Sequence, residues 1–511
     1  MNNSKPEQKA VVEAECGTEL GRRGFFKRAG MAAGGVITAA TLSSLAVHSA
    51  WARDGDDRDD GEGSRKDRRN RRARRSSYGD VRPTPDEDGS TVLALPEGFK
   101  YTTFSRTGET FAPGLVVARN HDGMGAFEGP RNTVRLIRNH EVRNAPGDFN
   151  LGVNGPANLR YDAKGTGGCM TLDFDTRRKR LVRQFISIGG TIVNCSGGWS
   201  YRNSGWITCE ETVQGVKNGY DKPHGYSFLV PASADSTVAA VPLTALGRFA
   251  KEAAVADDRG LVYQTEDAGN NSGFYRFIPT RADDLRSGKL QMLAVKGNPG
   301  ANLFTGQFVG ARLPVQWVDI NNPDPALETG AQSCFAQGRA QGGAAFNRLE
   351  GIFRAEDGVS MYFVSTSGGD RRGPDGDGYG QLWHYVPADS QTQKEDELVL
   401  VFESTSGRVL ESPDNLCITP NGSILFCEDD AVDDGDTHPF TAGLNDINRL
   451  IGLGDKGEPF TFAVNVLNDS EFAGACFSPD GEILFVNVFG NATPGSGMTC
   501  AIWGPWERGP F

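Results

Sequence analysis

The stretch Pro420-Asn-Gly-Ser-Ile-Leu-Phe-Cys-Glu-Asp429 combines a turn, a short apolar run and two carboxylates. Pro-Asn-Gly favours a tight turn, because asparagine and glycine tolerate the backbone angles that turns require. The run Ile-Leu-Phe-Cys has the length and the β-branched and aromatic content of a buried strand. Glu428 and Asp429 close it. Because this succession recurs along the chain, it defines a repeating unit.

Six such apolar runs end on acidic, amide or hydroxyl residues, and a turn precedes several of them. Their ends lie about 55–70 residues apart, apart from one step of about 100. A turn and a strand repeated at this spacing are the signature of a β-propeller. We therefore predict an all-β propeller of about six blades, with these runs lining the central channel and inserted loops at 282–308 and 330–345. A pair of β-sandwiches is the alternative. The runs are 134–141, 206–211, 261–267, 361–367, 424–430 and 483–488.

The N-terminus carries an export pattern. Gly21-Arg-Arg-Gly-Phe-Phe-Lys27 is a twin-arginine motif, an uncharged segment over 29–52 follows, and Ala50-Trp-Ala52 fits a cleavage site. The uncharged segment is too short and too mildly apolar to predict a membrane anchor. We predict a twin-arginine signal peptide over 1–52, a disordered charged linker over 53–83 and a propeller catalytic domain over 84–511. The expected location is periplasmic or secreted, reached through the twin-arginine export machinery.

Composition and missing motifs exclude several function classes. The formal net charge of −12 disfavours nucleic-acid binding. The chain has no G-x-S-x-G elbow, no Walker loop and no Rossmann glycine fingerprint. Its nine cysteines show no zinc spacing. Cys417 and Cys427, in adjacent predicted strands, are the pair that a disulfide would join. We expect a monomer.

The segment 190–212 reads GTIVNCSGGWSYRNSGWITCEET. Its composition predicts a strand up to Cys195, a loop over 194–205 and a second strand ending on Glu210 and Glu211. A thiol facing carboxylates across a hairpin suits a metal site with soft and hard ligands. The alternative is a plain hairpin with a buried cysteine and a solvated acidic end.

If the run ends converge on one channel, many carboxylates meet there. Like charges at that density cannot all remain ionised without cations, and Ca²⁺ is a natural partner because it takes six to eight oxygen ligands. Three further acids lie in loops near strands and are added to this candidate set. The set is Glu141, Glu210, Glu211, Glu266, Asp267, Glu428 and Asp429 at run ends, with Glu350, Asp414 and Glu471 in loops.

Short motifs over about residues 95–500 together resemble those of the PhoX-type alkaline phosphatases, and the N-C-x-G-G…T-C-E-E block is the most specific. The motifs are Asn139-His-Glu141, 190–198 with Thr208-Cys-Glu-Glu211, His224-Gly225, Val262-Tyr-Gln-Thr-Glu-Asp267, Arg348-Leu-Glu350, Pro413-Asp-Asn-Leu416, Glu428-Asp429, Glu471-Phe-Ala-Gly474, 477–481 and Leu484-Phe-Val-Asn487.

This resemblance implies a secreted propeller that hydrolyses small phosphomonoesters with Fe³⁺ and Ca²⁺ in its channel. It implies that Cys195 binds iron and that Arg348 and Glu350 act in catalysis, with Arg348 gripping a phosphate oxygen; a structural salt bridge is the alternative role for Arg348. The implied metal ligands are Glu141, Cys195, Glu210, Glu211, Glu266, Asp267, Glu350, Asp414, Glu428, Asp429 and Glu471.

Two other functions remain open from the residues themselves. One is a calcium-dependent propeller hydrolase of lactones or other phosphate esters, which needs the carboxylates but not Cys195. The other is a calcium-stabilised binding scaffold without catalysis, which binds metal without turnover.

Overall fold

The computed structural model describes residues 77–326, 332–373, 376–388, 394–429, 444, 447–454 and 456–511. The predicted signal peptide and most of the predicted linker lie outside these residues. Within them the chain is almost entirely β-structure, with one helix, α1 (Cys334–Arg339), inside the tract predicted as an insertion. None of the helices in these residues is long and apolar enough to span a bilayer. Short 3₁₀ turns lie at Ala157–Leu159, Tyr201–Asn203, Val216–Asn218, Thr244–Leu246 and Trp506–Arg508.

The strands form six antiparallel blades, each of three or four strands. Blade 1 holds β6 (His121–Glu128), β7 (Thr133–His140), β8 (Gly167–Asp175) and β9 (Arg180–Thr191), and blade 2 holds β10 (Asn194–Trp199), β11 (Gly205–Glu210) and β12 (Ser227–Pro231). Blade 3 holds β13 (Lys251–Ala256), β14 (Val262–Glu266), β15 (Phe274–Arg281) and β16 (Asp284–Val295), and blade 4 holds β18 (Leu349–Arg354), β19 (Met361–Ser365), β20 (Gln381–Val386) and β21 (Glu397–Glu403). Blade 5 holds β22 (Pro413–Ile418), β23 (Ile424–Glu428), β24 (Arg449–Leu453) and β25 (Pro459–Asn465), and blade 6 holds β26 (Phe472–Phe477), β27 (Leu484–Val488), β28 (Met498–Trp503) and β3 (Lys100–Phe104).

Five strands extend this plan. β17 (Arg312–Asp319) joins the outer edges of blades 3 and 4 into one sheet, β1 (Val81–Pro85) and β2 (Thr91–Pro96) add to the outer edge of blade 5, and β4 (Thr110–Ala112) pairs with β5 (Leu115–Val116).

The first strands of the blades form a closed ring. β6, β10, β13, β18, β22 and β26 each contact the next in that order, and β26 contacts β6. β3, from the N-terminal side of the chain, pairs with β28 near the C-terminus, so both ends of the body complete blade 6. The predicted six-bladed propeller is confirmed.

The apolar runs that revealed the repeat do not line the channel, so that part of the prediction is wrong. They form the second strand of each blade, β7, β11, β14, β19, β23 and β27. The start of β10, Asn-Cys-Ser-Gly-Gly, is rich in glycine and small polar residues, which is why it reads as a loop. A Cβ on Gly197 would lie 2.1 Å from the Ile207 carbonyl oxygen, and one on Gly198 would lie 2.4 Å from that of Ala254. The converging strands leave no room for side chains there.

Two smaller predictions also need correction. The segment 282–308 is not a plain inserted loop, because β16 supplies the outer strand of blade 3 over most of its first half. Cys417 and Cys427 are both buried as free thiols rather than joined in a disulfide. The two cysteines lie in β22 and β23 and pack among the apolar side chains between blades 5 and 6.

Aromatic side chains also fill the joints between blades. Phe274 of blade 3 stacks on Phe363 of blade 4 with 4.3 Å between ring centroids. Trp199, at the last position of β10, meets Phe353 of β18 edge to face at 5.0 Å. These two contacts join blade 3 to blade 4 and blade 2 to blade 4, so aromatic packing helps to hold the blades together.

Candidate metal centre

The centre begins with an unusual backbone conformation at the entry to the channel strands. In four blades the residue just before the first strand has a positive φ, although it is not glycine. These residues are Asn120 (φ 56°), Val193 (φ 48°), Arg348 (φ 50°) and Ser412 (φ 42°). Such a conformation costs about 1–2 kcal/mol, and more is expected for a β-branched residue such as Val193. Its repetition at one position in four blades indicates that it sets the direction of the chain into the channel.

Each channel strand has a β-bulge near its start, which begins at the second residue in blades 1 to 5 and at the third residue in blade 6. The pairing of the first and second strands shifts between His121 and Met124, and the same shift recurs in the other five blades. Because a bulge leaves residues unpaired and re-aims their side chains, five blades present one ligand-type residue here. These residues, all at most 2% exposed, are Asp122, Cys195, Glu252, Glu350 and Asp414.

Blade 6 departs from this pattern. Its bulge places Gly474 where the other blades have an acid or a thiol. Gly474 has a φ of +62°, and a Cβ there would lie 2.5 Å from the Asp122 carbonyl oxygen. Blade 6 instead supplies Glu471, which lies just before β26 and is 7% exposed.

A second set of residues follows the second strand of each blade. In blades 1 to 5 the backbone N–H of this residue donates to the carbonyl of the residue before the channel strand, over 2.9–3.1 Å. The repeated bond places these residues beside the first set at the same end of the channel. They are Glu141, Glu211, Asp267, Thr366 and Asp429.

The two sets combine into four groups that could hold metal ions. In each group three potential ligand atoms lie within 4.8 Å of one another. Consecutive groups share a residue, so they form one continuous series across the channel mouth. The groups are Asp122–Glu141–Cys195, Cys195–Glu211–Glu252, Glu252–Glu350–Asp414 and Asp414–Asp429–Glu471.

The sequence analysis did not select Asp122 and Glu252. Both lie in channel strands that come before the apolar runs 134–141 and 261–267, so no apolar run pointed to them. A usable signal was present: within a blade the bulge residue precedes the closing residue of the apolar run by about 15–19 positions. Asp122 and Glu252 stand at that distance before Glu141 and Asp267.

Glu210, a predicted ligand, lies outside these four groups. It is the last residue of β11, and its Oε1 is 2.7 Å from His224 Nδ1. Its other oxygen accepts from the N–H groups of Gly225 and Tyr226, over 2.9 and 3.1 Å. Burial alone lowers the pKa of His224, but Glu210 and Asp162 more than offset it and raise that pKa to about 9. Glu210 therefore anchors a protonated histidine.

Glu266 also ends a second strand and is also held away from the four groups. It accepts from the Tyr275 hydroxyl over 2.6 Å and from the Gly273 N–H over 3.2 Å. Burial raises the pKa of Glu266 to about 8, although these two hydrogen bonds oppose the shift.

Glu428 forms a bidentate ion pair with Arg449. Its Oε2 lies 2.6 Å from Arg449 Nε, and its Oε1 lies 2.6 Å from Nη2. The Glu411 N–H also donates to Oε1 over 2.8 Å. Both oxygens of this fully buried carboxylate are thus engaged by the protein itself.

Two arginines contact the acids of the centre. Arg143 is half exposed and bridges Glu141 and Glu211, with 2.6 Å from its Nη2 to Glu211 Oε2. Arg348 is 8% exposed; its Nη2 lies 2.5 Å from Glu350 Oε1 and 3.8 Å from Asp429 Oδ2. Its Nε is 3.6 Å from Asp267 Oδ2, so the predicted acids Asp267 and Asp429 meet at this guanidinium.

Cys195 lies among four acids of the channel. Its Sγ is 3.1 Å from Glu252 Oε1. Burial, followed by the nearby charges of Asp122, Glu252, Glu141 and Glu211, raises the pKa of this thiol well above its ordinary value. A thiolate at this position would therefore need a bound cation to balance it.

A comparison with a solved structure agrees with the fold. The structure of PhoX from Pseudomonas fluorescens, in complex with the transition-state analogue vanadate, superimposes with a TM-score of 0.58 at 19% identity, covering 84% of this chain and 99% of that one. Gluconolactonases from Xanthomonas campestris (10% identity; 84% and 92% of the two chains) and Pseudomonas aeruginosa (12%; 84% and 96%) reach TM-scores of only 0.37 and 0.35, too low to support any conclusion. No protein with a curated description matches the chain.

The fold and the site define a six-bladed propeller whose channel mouth gathers acidic groups able to hold metal ions. The sequence profile described as alkaline phosphatase PhoX matches residues 76–495. The chain therefore belongs to the PhoX alkaline phosphatase family and is a phosphatase.

Proposed function

We propose that this protein is an exported phosphatase that hydrolyses small phosphomonoesters with iron and calcium ions held at the channel mouth. The observation that supports this most directly is the continuous series of four ligand groups. Adjacent groups share Cys195, Glu252 or Asp414, so a cation in one group lies next to a cation in the following one. A cluster rather than an isolated ion is expected.

The donor atoms suggest how two kinds of metal would divide the series. The first two groups both contain Cys195, and a soft thiolate favours a transition metal such as iron. The last two groups contain only carboxylates, which are the ligands that Ca²⁺ prefers. We therefore assign iron to the Cys195 side of the channel and calcium to the Asp414 side.

The balance of charge supports the presence of cations. The four groups and Asp267 together bring nine carboxylates and one thiol to the channel mouth, and within the part of the chain that the structure describes Arg143 and Arg348 form ion pairs with members of this set. Carboxylates at that density repel one another, and bound cations would relieve this repulsion. Divalent or trivalent ions would provide the missing positive charge.

Bound cations at such a site polarise phosphate oxygens and supply the hydrolytic chemistry. The part of Arg348 is then to bind and orient the phosphate, because a guanidinium offers two parallel donors to phosphate oxygens. Glu350 holds Arg348 Nη2 at 2.5 Å and also belongs to the third ligand group. It would therefore link the position of the phosphate to the position of a cation.

Export by the twin-arginine route is part of the same proposal. The motif at 21–27 and the cleavage pattern at 50–52 support it. This route carries folded proteins, so a metal centre assembled inside the cell could be exported intact. We expect a monomer that acts on small substrates without a membrane anchor.

The test combines elemental analysis with hydrolysis of a chromogenic phosphomonoester, with and without a calcium chelator. We expect iron and calcium in the purified protein, chelator-sensitive turnover, and loss of both iron and activity in Cys195→Ala. Cys500→Ala is the matched control, because Cys500 is an equally buried free thiol outside the four groups. Calcium without iron and without phosphate release would contradict the proposal and favour the lactone hydrolase or the binding scaffold.

A further inference from the structure

The hydroxyl of Thr265 joins two ligand-bearing strands. Thr265 lies on β14, opposite the bulge of β13, and is fully buried. Its Oγ1 accepts from the backbone N–H of Ala253, the residue after Glu252, over 3.1 Å. The same hydroxyl donates to the backbone carbonyl of Glu350 over 2.6 Å. One side chain therefore ties the bulge of blade 3 to the bulge of blade 4.

The two strands that it joins carry ligands of the same group. Glu252 and Glu350 belong, with Asp414, to the third group of candidate ligands. The backbone at a bulge is not fixed by ladder hydrogen bonds, so its position depends on other contacts. The Thr265 hydroxyl provides such a contact to both strands at once.

The fold itself does not require a hydroxyl at this position. The residue before the last one of the second strand is Thr265 in blade 3 and Val364 in blade 4. Both are fully buried and have nearly the same shape. A β-branched apolar side chain is thus enough for packing at the equivalent position. The Thr265 hydroxyl is therefore explained by its two hydrogen bonds and not by packing.

An amide performs a similar task next to Cys195. Asn139, at the corresponding position of blade 1, donates from Nδ2 to the carbonyls of Cys195 and Ser196 over 2.9 and 2.8 Å. Its Oδ1 accepts from Trp206 Nε1 over 3.0 Å, which leaves no doubt about the orientation of the amide. At both of these joints a polar side chain of one blade therefore holds the ligand bulge of the next.

We propose that Thr265 is a positioning residue that sets the separation of Glu252 and Glu350 and thereby tunes the affinity of their group for a calcium-type cation. The inference rests on the proposed metal-dependent function and names a residue that binds neither metal nor substrate. Outer residues that orient metal ligands typically change metal affinity by about 10–100-fold when they are lost. We expect a change of that size from loss of the hydroxyl.

The experiment titrates the metal-free full-length protein with Tb³⁺, a luminescent probe for calcium sites. Glu350→Gln first identifies the binding step that depends on the third group. Thr265→Val then removes the hydroxyl and keeps the shape found in blade 4, whereas Thr265→Ser keeps the hydroxyl. We expect Thr265→Val to raise the Tb³⁺ dissociation constant of that step by about 10-fold or more. For Thr265→Ser, we expect the same constant to stay within about 3-fold of the wild-type value.

A Co²⁺ titration followed through its thiolate absorption band provides the internal control. That band reports cobalt bound to Cys195, and the group Asp122–Glu141–Cys195 contains neither Glu252 nor Glu350. Thr265→Val should therefore keep the band, whereas Cys195→Ala should abolish it. A purely structural role for Thr265 would instead lower the melting temperature and weaken both titrations together. If Thr265→Val does not fold, Thr265→Ala serves in its place, since a smaller side chain cannot clash with β18.

Two results would overturn the inference while leaving the proposed metal centre intact. One is a Tb³⁺ dissociation constant of Thr265→Val that stays within about 2-fold of the wild-type value. The other is an equal loss of Tb³⁺ affinity in Thr265→Val and Thr265→Ser. A third result would overturn the metal centre itself, and the role of Thr265 with it. This result is a wild-type Tb³⁺ titration in which Glu350→Gln removes no binding step.

Discussion

Glu428 and Asp429 are neighbours in the sequence, yet the structure gives them opposite tasks. Glu428 is locked in a bidentate pair with Arg449, while Asp429 belongs to the fourth group of candidate ligands. Glu428→Gln and Asp429→Asn each replace a carboxylate by the amide of the same shape. Glu428→Gln should lower stability and leave metal binding intact. Asp429→Asn should weaken metal binding and leave stability intact.

The size of the first effect follows from the burial of the ion pair. Glu428 is fully buried, and the Arg449 side chain is 9% exposed. Breaking such a pair leaves a buried charge uncompensated, which costs about 3–5 kcal/mol. With an unfolding entropy of about 2.1 cal/mol/K per residue over about 430 residues, the melting temperature should fall by about 3–6 °C.

Asp429→Asn should behave differently in the absence of metal. Asp429 Oδ2 lies 3.8 Å from Arg348 Nη2, among several other acids. Removing one of many like charges relieves repulsion, so the metal-free variant should be as stable as the wild type or slightly more stable. In the presence of metal it should lack the ion held by the fourth group.

The assay is thermal unfolding in chelator and in calcium, with elemental analysis of the same samples. The reasoning fails if Glu428→Gln loses metal at an unchanged melting temperature in chelator. It also fails if Asp429→Asn keeps the full metal content of the wild type. The first result would mean that Glu428 is needed for metal binding, and the second that Asp429 is not.

Three further predictions concern pH, glycine and thiols. The pKa of His224 is raised to about 9, so the stabilisation that its positive charge provides is complete below about pH 6.5 and is lost as the pH rises through 9. The unfolding free energy should therefore fall by up to about 3 kcal/mol over that range. A pH series of denaturant titrations measures this fall, and His224→Gln should abolish it. Gly197→Ala puts a Cβ 2.1 Å from the Ile207 carbonyl oxygen and should lower the unfolding free energy by about 3 kcal/mol or more. Gly114→Ala is the control, because the space around its Cβ is open, and it should cost about 1–2 kcal/mol from its positive φ alone. Equal melting temperatures for the two variants would contradict the predicted clash at Gly197. The eight described cysteines are buried free thiols, so a thiol reagent should label none of them in the native protein and all of them in denaturant; rapid native labelling would show that the channel strands open.

The blade repeat could be predicted because the second strands carry it. They are continuous apolar runs with turns before them, and burial between blades demands that composition. The first strand of blade 2 could not be recognised, because crowding around the axis selects glycine there, and sequence patterns assign a glycine-rich segment to a loop. The start of this strand, β10, reads Asn-Cys-Ser-Gly-Gly.

The site was predictable only in part, for a reason that lies in strand geometry. Consecutive residues of a strand point to opposite sides, so of two adjacent acids at a strand end only one can face the ligand groups. The sequence shows Glu210 beside Glu211 and Glu428 beside Asp429, but not which member faces the channel. That choice depends on partners far away in sequence, such as His224 for Glu210 and Arg449 for Glu428.

The four ligand groups also bear on how the ring is held closed. Each group takes residues from at least two blades: blades 1 and 2, blades 2 and 3, blades 3 to 5, and blades 5 and 6. A cation that binds only the closed ring stabilises it by mass action, by about 2.7 kcal/mol at a concentration one hundred times its dissociation constant. Bound metal would therefore act on these joints as well as on the substrate.

The joint between blades 6 and 1 differs from the rest. Among the described residues, no ligand group spans it, so this joint depends on the chain alone. Asn487 of β27 donates to the Asp122 carbonyl over 2.6 Å, and Gly474 lets the two channel strands approach closely. Asp122 is itself a candidate ligand, so the contact that closes the ring also positions the first member of the metal series. Loss of the Asn487 amide should therefore weaken ring closure and the Cys195 side of the metal centre together, because a single hydrogen bond serves both.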